Sequence, residues 1–168
     1  MIDAGYVRVM ARYSVWQNES LIAAAGRLDD EARLQDRGAF FGSIQATLNH
    51  LLWGDRTWLS RFTDLPAPES GIQGSVHLAP DWPTYKLERR VTDADITSWA
   101  SSVGDNDLVG ELTWFSGALG REVSRPVSLL VVHFFNHQTH HRGQAHAMLT
   151  AAGTRPEPTD LPFMPGMG

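Results

Sequence analysis

Five of the seven histidines in this 168-residue chain fall within fourteen residues near its C-terminal end, in the run His133-Phe-Phe-Asn136-His137-Gln-Thr-His140-His141-Arg142-Gly143-Gln144-Ala-His146. Each residue of an α-helix advances about 100°, so His133, His137 and His141 climb one face as a ladder while Phe135 and Arg142 point away. Such a ladder aims two or three imidazoles at one point. Imidazole is the commonest protein ligand for metals, and a histidine pair at i, i+4 is the device that holds zinc on metalloprotease helices. The plainer alternative is a polar helix face, or core histidines bonded to backbone.

Catalytic centres of the zinc type take three protein ligands and leave a position open, so a third must come from elsewhere. The candidates are His50, in Thr47-Leu-Asn-His50-Leu-Leu-Trp-Gly-Asp55, and His77, in Gly74-Ser-Val-His77-Leu. His50 is favoured because it lies in a helical pattern that holds it rigidly, whereas His77 sits among loop-forming glycines and prolines. A helical wheel places His50 about 120° from the centre of its helix's apolar stripe, beside Thr47, Gly54 and Trp58, so it must face a cleft flanking the core. Cysteine is absent. Only His, Asp and Glu are left to hold metal, and any thiol in a reaction must arrive with a substrate. A ligand imidazole must be neutral, and its ordinary pKa is near ~6.5, so affinity is expected to fall as the solution turns mildly acidic.

The frame for these residues is helical. Tyr6, Met10, Tyr13, Gln17, Leu21 and Ala24 mark an amphipathic helix over about 3–25. Ile44, Leu48, Leu51, Leu52, Leu59 and Phe62 mark a second over about 42–62, in which Asp55 interrupts the stripe and wants a partner. Residues 63–83 carry Pro66, Pro68, Gly71, Gly74, Pro80 and Pro83 and read as a long surface loop, a common home of function. A third helix is predicted over about 84–103. The runs Leu108–Phe115 and Arg121–Arg125 around a glycine turn at 116–120 predict a β-hairpin. The ladder helix then spans about 127–152, stopped by Gly153, and 154–168 is a non-helical tail that could pack through Leu161, Phe163 and Met164.

These elements predict an all-α, up-down four-helix bundle with a small β-hairpin inserted before the last helix, in one domain over 1–168. The histidine face also carries Leu130, Gln144 and Met148, so a centre there would open on a mixed polar and apolar pocket. Gly143, inside the helix at a cost of about 1 kcal/mol relative to alanine, suggests close approach by another helix or a ligand. Fourteen Lys+Arg against nineteen Asp+Glu give a net charge of −5 with no basic cluster, which argues against nucleic acid and anionic membrane as partners. No apolar run approaches the ~18 residues of a membrane span and no apolar signal region opens the chain, so the cytoplasm is the expected compartment.

The stretch Ser43-Ile-Gln-Ala-Thr-Leu-Asn-His50-Leu-Leu-Trp-Gly-Asp-Arg-Thr-Trp58-Leu, followed by Asn136-His137-Gln-Thr-His140-His141-Arg142-Gly143-Gln144, resembles the DinB/YfiT-like family of metal-dependent four-helix bundles. Tyr13-Ser-Val-Trp16-Gln-Asn18 is similar to that family's first-helix pattern, so the resemblance covers nearly the whole chain. It implies one divalent transition metal, zinc or nickel foremost and iron also suited, on His50, His137 and His141. His133, His140, Asp55 and Gln144 are then outer or pocket candidates, with Asp55 the nearest speculative base or else a buried ion-pair partner. Asn18 and Asn136 occupy motif positions and are expected to make helix-to-helix hydrogen bonds.

The family's characterised members include transferases and isomerases that use small thiols such as bacillithiol or mycothiol, and hydrolases. The resemblance therefore implies an enzyme that transfers a low-molecular-weight thiol to an electrophilic small molecule, or alternatively a small-molecule hydrolase; a non-catalytic bundle that binds metal or ligand is the reading from another class. No Glu adjoins the histidine pair, which disfavours a metallopeptidase. The resemblance also implies a homodimer, for which Trp53, opposite the apolar stripe of its helix, is the natural anchor unless the hairpin or tail covers it.

Overall fold

The computed structural model of the chain describes residues 1–117 and 119–166; Ala118 of the glycine turn and the last two residues of the tail lie outside the described residues. Helix α1 (Ala4–Ala25) starts where the Asp3 carboxylate accepts the Tyr6 amide, and Asp29 caps a single short turn, α2 (Asp30–Leu34), that the sequence reading did not anticipate. Helix α3 (Ile44–Phe62) is capped by Ser43, and α4 (Trp82–Ser102) by Asp81 with a proline in its first turn. These carboxylate and hydroxyl caps satisfy amides that have no partner within the helix. Strands β1 (Glu111–Ser116) and β2 (Arg121–Pro126) pair antiparallel, with Trp114 opposite Val123, and lead straight into α5 (Val127–Ala151).

Four long helices and a hairpin before the last of them match the expected fold, but simple up-down alternation does not hold, because side-chain contacts fix other directions. Tyr6 meets Phe135 and Ser14 meets Gln138, so α1 and α5 run parallel. His50 meets His141 while Trp58 meets His133, so α3 and α5 run antiparallel. Asp55 meets Arg89 and Phe62 meets Trp99, so α3 and α4 run parallel. The order is up, down, down, up. Parallel neighbours need a long return connection, and residues 63–81 supply it. That segment was expected to be irregular throughout, yet Ile72–His77 forms a 3-10 helix. We call it the strap.

Two apolar clusters fill the bundle. One gathers Val7, Ala11, Leu59, Ile96, Phe134 and Phe135 toward the hairpin end. The other gathers Leu21, Ile44, Leu48, Leu52, Tyr85 and Leu149 toward the opposite end. Between them lies a buried polar layer built on Arg89, whose guanidinium is fully buried and ion-paired to Asp55 at 2.5 Å and Asp93 at 2.9 Å. Asn18 donates to Asp93 at 2.8 Å, which gives this motif residue its helix-to-helix bond. Ser14 and Arg142 both donate to Gln138.

Three expectations about packing change. Nothing approaches the site of a Gly143 side chain within 4 Å, and the residue is exposed, so its glycine is a tolerated one. The tail does lie on α1, where Tyr13 donates to the Thr159 carbonyl and Gln17 to that of Pro158, but its buried anchor is Met164 while Phe163 stays exposed. Trp53 is half-buried beneath the strap and donates to the Ser70 carbonyl at 2.7 Å. Neither hairpin nor tail covers it, and it offers no exposed anchor for a dimer. No helix among the described residues is long and apolar enough to cross a membrane.

Candidate metal centre

At the level of the polar layer, on the α3–α5 side of the bundle, His50, His137 and His141 converge so that one ligand atom from each lies within 4.8 Å of the others. His50 is 4% and His141 7% exposed, and His137 is half-buried. The i, i+4 spacing stacks His137 and His141 one turn apart on α5, and antiparallel packing brings His50 opposite them. The Nε2 atoms of His137 and His141 stand 3.1 Å apart. Two ligands at about 2.05 Å from a tetrahedral ion sit roughly 3.3 Å apart, so this spacing suits a shared ion.

The far nitrogens are already engaged. His141 Nδ1 donates to the Gln144 side-chain carbonyl at 2.8 Å, which leaves its Nε2 lone pair bare. His50 Nδ1 meets the buried Ser75 hydroxyl at 2.8 Å, and donation there bares Nε2 in the same way. Phe41 stacks on the His50 ring with centroids 4.0 Å apart and closes the side toward the α2–α3 loop. A side chain at Gly54 would place its Cβ 2.7 Å from Cε1 of His137, so this glycine makes room for the ring.

Electrostatics favour the neutral form that a ligand needs. Burial, then the neighbouring His141, pushes His50 down to about 4. Burial, followed by the charges His141, His50, His133 and His140 would carry, pushes His137 down to about 3. His141 is also lowered by burial, with Gln144 and the more distant Asp55 pulling the other way. The onset of proton competition therefore moves below the ordinary imidazole range. Zinc affinity, followed by calorimetry in a non-chelating buffer, is expected to vary little from pH 7 to 5.5 and to collapse toward pH 4; a tenfold loss per unit already near pH 6.5 would contradict the buried centre.

The other candidates take separate places. Gln144 orients His141 as an outer partner. His133 is exposed, 4.9 Å from the Trp58 ring and 5.9 Å from that of His137, and stands outside the ligand group. His140 is exposed beside His141. Asp55 is fully buried and bound to Arg89, so it is the ion-pair partner and not a base facing the site. His77 lines a cavity of about 650 Å³ between the strap and α3, with Arg56, Leu59, Pro66, Ser70 and Gly74. Asn136 is exposed.

Sequence reasoning missed Ser75, Phe41 and Gly54. Ser75 sits in the short 3-10 helix of the strap and Phe41 in the turn before α3, and neither carries a periodic signal. Gly54 carried one, since a glycine inside a helix is costly wherever packing does not require it, and packing requires it at Gly54 and not at Gly143.

The profile of the DinB family matches residues 1–167. The protein named DinB from Bacillus subtilis is 27% identical over 153 residues, covering 88% of this chain and 87% of that one. A crystal structure of a DinB-like protein from Bacillus cereus superposes with a TM-score of 0.54 at 22% identity, over 86% of this chain and 91% of that chain. The superposition supports the same helical frame.

Proposed function

Since the chain belongs to the DinB family, we propose that it is a metal-dependent enzyme whose His50, His137 and His141 hold one divalent transition ion, zinc or nickel foremost, and which transfers a low-molecular-weight thiol to an electrophilic small molecule. The observation that carries this reading is the donor set. Three histidines converge, and no fourth His, Asp or Glu joins their group among the described residues. Structural zinc sites close with four protein ligands, whereas three with a position left over is the catalytic pattern.

A divalent ion on three neutral imidazoles keeps its full charge and supplies Lewis acidity, lowering the pKa of a bound thiol or water so that a nucleophile exists at neutral pH. The chain's own residues do the rest. Gln144 and Ser75 hold the protons at Nδ1 of His141 and His50, and Phe41 keeps water from one side of the His50 ring. With no cysteine anywhere in the chain, the thiol must be a cosubstrate. Hydrolysis is the second reading, and the candidate base Asp55 is buried and ion-paired to Arg89 through one of its oxygens, which does not favour it as the acceptor of a water proton. A thiol is more acidic than water to begin with, so a bound thiol can give its proton to solvent at neutral pH without a dedicated base.

The test is elemental analysis of protein purified without a histidine tag, followed by a screen for metal-dependent thiol consumption against a panel of electrophiles. About one ion per chain and ion-dependent thiol loss are expected. Stoichiometric metal with no thiol consumed and no ester or amide cleaved would make the protein a metal or ligand binder instead.

A further inference from the structure

Beyond His137 the α5 face that packs beside α3 continues toward the hairpin with an exposed histidine. His133 follows one turn along α5, about 6 Å, and its ring faces Trp58. Trp114 of β1 meets Trp58 edge-on with centroids 5.7 Å apart. Arg61 lies over both indoles, its guanidinium carbon 4.2 Å from the Trp58 centroid and 5.3 Å from that of Trp114. Two aromatic faces thus fix an otherwise flexible side chain at the end of a row of ring contacts, Trp58 to His133 to His137, that leads to the histidine ligands.

Arg61 forms no ion pair among the described residues, in contrast to Arg33, Arg56 and Arg89, each of which has a carboxylate. Asp107, which shares a small cavity with Arg61, accepts the Gly104 amide, and Glu111 of the hairpin accepts the Ser124 hydroxyl; neither is paired with Arg61. The groups facing Arg61 from α5 and the hairpin are the His133 imidazole, held toward its neutral form, and the Trp114 indole. The two indole faces offset part of the hydration that this half-buried guanidinium has lost, and no anion among the described residues offsets the rest. Its planar fork matches a carboxylate in two parallel hydrogen bonds, and stacking on indole leaves the edge donors free to make them. A single positive charge in this half-buried place suits a monoanion better than a doubly charged group.

We propose that Arg61, held by Trp58 and Trp114, is a recognition site for a carboxylate carried by the substrate, whose reactive end reaches His50, His137 and His141 past His133. The inference rests on the thiol-transfer reading of that centre and assigns the substrate class: an anionic, carboxylate-bearing thiol in place of a neutral one. His133 forms the wall between the two ends.

The test compares mercaptohexanoate with mercaptohexanol, which share thiol and length and differ in the carboxylate. Binding to zinc-loaded protein is read by calorimetry and by the fluorescence change of the tryptophans at the site. The acid should bind about tenfold tighter than the alcohol, the scale of one charge-assisted contact. Arg61→Gln should erase that difference and Arg61→Lys keep part of it, with zinc content unchanged in both. Equal binding of acid and alcohol to the wild type overturns the Arg61 assignment and leaves thiol binding standing. If neither thiol binds, the thiol reading fails, and hexanoate against hexanol on the metal-free protein decides Arg61 alone: preference for hexanoate lost in Arg61→Gln upholds the site, and no preference removes it.

Discussion

Alanine at His50, His137 or His141 is expected to lower zinc affinity by more than 100-fold in each case, measured by competition with a chromophoric chelator, while His77→Ala and His140→Ala bind as the wild type does. The scale follows from the geometry. Losing the hydrogen-bond partner of a ligand typically costs roughly 10- to 100-fold, so Ser75→Ala should fall in that range. Removing the ligand itself leaves two donors and costs more. Gly54→Ala is a sharper probe, because alanine favours the helix by about 1 kcal/mol yet its Cβ would stand 2.7 Å from the His137 ring. That variant should keep its melting temperature and lose affinity of the same order as Ser75→Ala. Wild-type affinity in any one of the three ligand variants would remove that residue from the centre.

The same buried imidazoles give the metal-free protein an acid sensitivity with a defined sign. His50 and His137 are held at about 4 and about 3 in the fold, against ~6.5 in an unfolded chain. Between those values the unfolded chain binds more protons, so this contribution to stability falls as pH drops from about 6.5, the His50 part down to about 4 and the His137 part down to about 3. Bound metal would deepen that dependence, since the ion requires the same deprotonated nitrogens.

How far the centre was legible in the sequence differs from residue to residue. The i, i+4 histidines announced one face of a helix, because helical period alone places them together. Which two of the three on the ladder serve was not legible from spacing, since His133–His137 and His137–His141 are equivalent until α3 supplies the third nitrogen. The pairing of α3 with α5 decides it: His50 sits opposite His141, and eight residues further along α3, about 12 Å, Trp58 occupies the place opposite His133. The strap was legible as a loop from its prolines but not as a support for His50, because a single serine hydroxyl leaves no pattern. Caps at Ser43 and Asp81 set helix starts two residues away from where apolar periodicity placed them, as a cap can lie outside the stripe it begins.

Asp55 shows the other limit. An acid in an apolar stripe predicts a buried partner, but only the parallel packing of α3 and α4 identifies Arg89. This pair, with Asp93, is the largest expected lever on stability. Burial raises the Asp55 pKa against the pull of Arg89, and raises Asp93 to about 6; burial likewise opposes the Arg89 charge, which the two aspartates more than restore. Arg89→Met would leave both carboxylates in the interior without their cation. Breaking a buried pair from one side costs about 3–5 kcal/mol, which for a domain of this size lowers the melting temperature by roughly 6–20 °C. Removing the charges together, as Asp55→Leu/Arg89→Met/Asp93→Asn, should recover much of that loss, since a buried pair contributes little net over apolar packing. The polar layer ties α3 to α4, α4 to α1 and α1 to α5 at the level of the histidines, so the single variant should lose zinc affinity along with stability and the triple variant regain the first only if that packing returns. A melting temperature unchanged in Arg89→Met would mean that water reaches Asp55, and the layer between the two apolar clusters would then be no structural element at all.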